Sequence, residues 1–100
     1  MKTYWITFRL KQDATYEERY NRLYEAVRQL ADGNHWVEPT SFIAFESDKS
    51  VTTLAREFAA VISLSKDVIL LSAFEFKICR IIGHLEDRDI LQMVPFAKYD

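Results

Sequence analysis

The chain holds a single cysteine, Cys79, among its 100 residues. No internal disulfide can form, which excludes a disulfide-stapled secreted scaffold. Glycine and proline number 2 each, too few for a low-complexity or fibrous chain. The two glycines, Gly33 and Gly83, lie far apart, so no phosphate-cradling glycine loop exists. A Gly-x-Ser-x-Gly elbow and a Cys-x-x-Cys pair are missing too. No apolar run approaches the ~20 residues that a bilayer-spanning helix needs. Met1 to Leu10 alternates and carries Lys2 and Arg9, unlike the apolar block of a signal peptide. These absences predict a soluble, cytoplasmic protein with no membrane partner. Neither sign of charge dominates: 13 Lys plus Arg against 15 Asp plus Glu leave a net charge of −2. That balance argues against a dedicated nucleic-acid coat, though a local basic patch stays open.

What is present is a hydrophobic fraction of 49% in a chain of single-domain length, enough to bury a core. Tyr4, Ile6, Phe8 and Leu10 recur at period two, with Thr3, Trp5, Thr7 and Arg9 opposite, which predicts a first strand. Tyr16, Tyr20, Leu23, Val27 and Leu30 follow at steps of three and four, an amphipathic helix capped by Asp13 or Thr15. Gly33 is its expected left-handed stop. His35–Glu38 and Ser41–Ser47 form a candidate hairpin turned at Pro39. Asp48 or Ser50 caps a second helix carrying Leu54, Phe58, Val61 and Ile62. Val68–Ile82 reads as at least one long strand. In the tail, Asp87 or Asp89 caps a short helix through Ile90, Leu91 and Val94 that Pro95 ends; a strand fits there nearly as well.

The order strand, helix, strand, strand, helix, strand predicts an α+β fold, a ferredoxin-like βαββαβ sandwich. It would be one domain over 1–100, with an antiparallel sheet, both helices on one face, and 82–100 as a C-terminal extension. The expected core is Tyr4, Ile6, Phe8, Tyr20, Leu23, Val27, Leu30, Ile43, Phe45, Leu54, Phe58, Val61 and Ile69. Trp5 and Phe42 would point away from the helices. A bare sheet with two such rings is a patch that monomers avoid. The tail, a second subunit or nucleotide bases would cover it, and Ile90, Leu91, Val94 and Phe96 equip the tail to pack there or on a partner.

Three stretches carry a resemblance: the strand Tyr4-Trp5-Ile6-Thr7-Phe8, the helix Tyr20-Asn21-Arg22-Leu23-Tyr24-Glu25-Ala26-Val27, and the hairpin from His35 to Ile43. A Ser-led helix and a Lys66-Asp67 step into an apolar strand follow. Over roughly Met1 to Phe76 the chain resembles the small ferredoxin-like proteins grouped with the CRISPR-associated endonuclease of the Cas-two type, which include toxin–antitoxin components and stand-alone relatives. The resemblance implies a homodimer joined through the sheet region and the C-terminal strand. In nuclease members an Asp ending the first strand holds a divalent metal between subunits. Here the matching pair is Phe8-Arg9. Mg²⁺ takes hard oxygen ligands, and a guanidinium repels it.

The nearest acid, Asp13, is the one weak catalytic candidate, and it doubles as a turn or cap residue. Glu46 and Asp48 read as a solvated strand residue and a cap. His35, Glu38 and His84 lack the converging set that a metal needs, and Cys79 reads as a buried, inert thiol. Arg9, Lys11, Lys77 and Arg80 would make a basic edge if the first and fourth strands were neighbours. The expected function is therefore a non-catalytic homodimeric binding module, without cofactor. Its binding surface would comprise Trp5, Arg9, Phe42, Lys77 and Arg80, offered to a protein partner or to RNA. The alternatives are an Mg²⁺-dependent endoribonuclease using Asp13 across a dimer, and an RNA-binding regulator.

Overall fold

A computed structural model describes residues 1–99 of the chain; Asp100, the last position of the expected extension, lies outside the described residues. The order is β1 (Lys2–Arg9), α1 (Tyr16–Leu30), β2 (His35–Trp36), β3 (Phe42–Ser47), α2 (Val51–Ala59), β4 (Val68–Ala73), β5 (Cys79–Gly83), α3 (Ile90–Met93) and β6 (Ala97–Tyr99). The fold is α+β, with one six-stranded sheet in the order β2-β3-β1-β4-β5-β6. Every adjacent pair is antiparallel except β5 and β6, which are parallel. The sheet is therefore mixed, not wholly antiparallel as the sequence suggested.

Period-two alternation sorts each strand into two faces. Tyr4, Ile6 and Phe8 of β1, Ile43 and Phe45 of β3, and Ile69 and Leu71 of β4 are buried together with Leu23 and Val27 of α1 and Leu54 and Phe58 of α2. One face of the sheet thus carries both long helices, as their apolar stripes require. Three expected core residues, Tyr20, Leu30 and Val61, are only half-buried against this core; Val61 falls beyond the end of α2. Ser50 caps α2, its side chain accepting from the Thr53 N–H. Asp48 does not cap it and instead pairs with the N-terminal ammonium.

Several local expectations are corrected. Thr15 sits at the N-cap of α1 without a side-chain cap bond, because its hydroxyl accepts from Arg19 Nε. Gly33 does not adopt the left-handed region; Gly83 is the one described residue that does, at φ 108°. Gly33 is small for a different reason: a Cβ there would come within 2.6 Å of Glu46 Oε1. Glu46 is correspondingly no free strand acid. Its carboxylate accepts from the Asn34 N–H at 2.8 Å and ties the loop after α1 to β3. The stretch 68–82 is two strands, turned between Phe74 and Ile78, and β5 straddles the expected start of the extension. The tail satisfies both of its readings in succession, a four-residue helix and then a strand.

Candidate binding face

The sheet face away from α1 and α2 carries Thr3, Trp5, Thr7 and Arg9 of β1, and Phe42, Ala44 and Glu46 of β3. Val68, Leu70 and Ser72 of β4 complete it, placed by the same alternation and register. Trp5 stacks on Phe42 with centroids 5.5 Å apart. Trp36 meets Phe42 edge-on at 6.2 Å, and Phe74 tilts against Trp5 at 6.3 Å. Sequence reasoning found Trp5 and Phe42 but not Trp36 and Phe74. Trp36, paired with Ala44 across two residues of β2, is 50% exposed and Phe74 is 60% exposed. The signal for Trp36 is its place in the predicted hairpin; Phe74 has none, because the apolar run 68–82 does not mark where one strand ends and the next begins.

The expected cover by the tail is realised elsewhere. Through the β4–β5 register, Cys79 and Ile81 share the face of Ser72 and Leu70. Both are buried, Ile81 to 1% exposure, although neither joins the helix-side core. The tail shields them: β6 runs alongside β5, and Ile90 and Met93 flank Ile81 and Leu70 across a groove. Ile90, Leu91 and Val94 are half-buried and Phe96 is exposed. β6 extends the sheet past β5 and so lies at the far side of β4 from Trp5 and Phe42. Burial also pushes the Cys79 thiol pKa up.

The four basic candidates do not converge. Arg9 lies opposite Val68, at the start of β4; it donates to the His84 carbonyl at 3.5 Å and pairs with Glu86 at 3.4 Å. Lys77 lies in the turn beyond the other end of β4. Arg80 faces the helices, donating to Thr52 Oγ1 of α2. Lys11 lies in the loop after β1, its N–H bound by Asp67. The charged side chains of the face's central strands are thus Arg9 and Glu46, one of each sign.

Where β1 ends, the structure builds an ion-pair cluster that the sequence reading missed. Arg19 of α1 is 5% exposed and Asp67, just before β4, is 0% exposed. Arg19 Nη1 donates to both Asp67 oxygens, at 2.5 and 2.6 Å. Arg19 Nη2 donates to the Lys11 carbonyl at 2.8 Å and to Asp13 Oδ1 at 2.7 Å. Asp67 also accepts the N–H groups of Lys11 and Ser63, each at 2.9 Å. Lys66 Nζ reaches Asp13 Oδ2 at 3.0 Å. Both Asp13 oxygens are therefore engaged by cations, and Lys66, then Arg19, hold its carboxyl well below the usual carboxylate range. Asp67, ahead of Arg19's desolvation, raises the guanidinium pKa. Among the described residues no three His, Cys, Asp or Glu side chains converge as a metal site; His35 and His84 are both exposed. No described helix is long and apolar enough to cross a membrane. Compared with family models, with curated proteins and with solved structures, the chain matches none.

Proposed function

We propose that the chain is a non-catalytic interaction module of ferredoxin-like type that associates with a second copy of itself through the sheet face carrying Trp5 and Phe42. The observation that carries the proposal is the uncovered ring cluster Trp36–Phe42–Trp5–Phe74 on that face. Aromatic rings at a half-exposed surface are the groups that anchor protein interfaces. The near-neutral charge of the face favours a protein over RNA, because binding a phosphate backbone draws on clustered Lys and Arg. For the fold type, the segment β2-β3-β1-β4, with β3 lying between β1 and β2, supports the ferredoxin-like reading. The engagement of Asp13 by Lys66 and Arg19 favours a structural over a metal-binding role for that carboxylate.

Light scattering coupled to size exclusion tests the proposal. The wild-type chain is expected to run as a dimer and Trp5→Ser as a monomer with unchanged circular dichroism. A wild-type monomer at high micromolar concentration overturns it. Salt-sensitive binding of single-stranded RNA, lost in Trp5→Ser, would favour the RNA-binding reading instead. RNA cleavage with Mg²⁺ that Asp13→Asn abolishes would favour the nuclease.

A further inference from the structure

Building on the sheet-face self-association proposed above, we infer that two copies pair about a two-fold axis running across the strands, with Phe74 of each copy seated in the apolar groove beside α3 of the other. The register across three strands supplies the argument. Ile43, Ile6 and Leu71 lie side by side in β3, β1 and β4 and point toward the helices. On the open face, their level separates two rows. Phe42, Thr7 and Leu70 stand on one side of it; Ala44, Trp5 and Ser72 stand on the other.

Large and small side chains exchange places between these rows on all three strands. An axis in the interface, crossing the strands at the Ile6 level, sets Phe42 over the second copy's Ala44. It likewise sets Trp5 over that copy's Thr7, and Leu70 over its Ser72. Large then faces small everywhere, the condition for two sheet faces to interdigitate at about 10 Å. An axis along β1 instead would set Trp5 on Trp5 and Phe42 on Leu70, large against large.

One step further out, the same operation joins two features that the isolated chain leaves unmatched. The Phe74 N–H donates to the Thr3 carbonyl, so Phe74 stands at the Thr3 level, three residues from Ile6. Val68 faces Arg9, three residues beyond Ile6 in the other direction. The axis therefore carries Phe74 onto the second copy's Val68. Val68 belongs to a groove of about 420 Å³ walled by Leu70, Ile81, Ile90 and Met93. A ring that is 60% exposed thus meets an apolar recess, and two-fold symmetry makes the contact twice.

The test measures dimer dissociation by sedimentation and proximity by disulfide trapping. Phe74→Ala is expected to weaken the dimer at least about tenfold, as truncating a ring seated in a partner's pocket does. Phe74 and Met93 are both largely exposed, so substitutions there leave the fold intact. Under mild oxidation, a mixture of Phe74→Cys and Met93→Cys chains is expected to yield a mixed disulfide in excess of either self-linked species. A dimer that Trp5→Ser dissociates but Phe74→Ala does not, with no mixed disulfide, overturns this register and leaves the sheet-face reading standing. A wild-type monomer overturns both.

Discussion

Arg19 and Asp67 take opposite charges to a place that water does not reach, and each depends on the other for hydrogen bonds. A buried pair of this kind contributes little over an apolar one, yet breaking it is costly. Asp67→Ala is expected to destabilise the fold by about 3–5 kcal/mol in urea unfolding, because it leaves Arg19 Nη1 and the Lys11 and Ser63 N–H groups without their acceptor. The double variant Arg19→Met with Asp67→Leu should recover much of that loss. The acid limb of stability follows from Asp13 and Asp32. Lys66 and Arg19 depress the first carboxyl; the Asp48 N–H and then Lys49 depress the second. A lowered folded-state pKa means that both contributions are complete above the unfolded value of about 3.9. They fade as pH falls below it, toward the depressed values. Unfolding midpoints followed from pH 6 downward are expected to drop below about pH 4, and Asp13→Asn should flatten that drop. Arg19 was partly legible in the sequence. It follows Tyr16 by three and precedes Leu23 by four, which puts it on the buried stripe of α1, where an Arg requires a partner. The partner's identity was not legible, since Asp67 is 48 residues away.

At the scale of elements, the two glycines divide the work differently from the sequence expectation. Gly83 combines a positive φ with a backbone approach so close that a Cβ would strike the Asp67 carbonyl. That carbonyl also accepts the His84 N–H at 2.6 Å. Gly83→Ala is therefore expected to cost at least about 1–3 kcal/mol in thermal or urea unfolding. The tail is the second element with a measurable role. Tyr99 anchors it, its hydroxyl donating to the Gly83 carbonyl at 2.9 Å. With the tail in place, Cys79 is buried and should react with a thiol reagent only on opening. A chain truncated after Asp89 should expose the thiol and react faster by at least about tenfold. Equal rates would mean that the tail does not shield β5. Alternation and helical spacing made β1, α1, β3 and α2 readable. The β4–β5 turn was not, because Phe74, Phe76 and Ile78 are as apolar as the strands they separate.

Across the described molecule, neither long helix covers the second face of the six-stranded sheet. The tail closes the β5 side of it, burying Ile81, and stops short of the rings on β1, β2 and β3. Association that hides those rings should be hydrophobic in character, with a negative heat-capacity change on dimerisation measurable by calorimetry. Raised salt should leave it largely intact, unlike a phosphate contact. The expected basic edge failed at this scale. Arg9 and Lys77 flank opposite ends of β4, and Arg80 faces α2, separations that linear spacing does not encode.

Periodicity alone determined which side of β1, α1, β3 and α2 faces the core, since side-chain direction repeats every two or every 3.6 residues. That local rule by itself puts Trp5 and Phe42 on the far side of the sheet from the helices. Only the tertiary structure decided that β4 turns back on β5 and that β6 joins it in parallel, where the tail docks, and that Arg19, Asp13 and Asp67 share one cluster. Those outcomes bring together residues tens of positions apart, through packing and the hydrogen-bond demand of buried charge, and no local pattern records such a meeting.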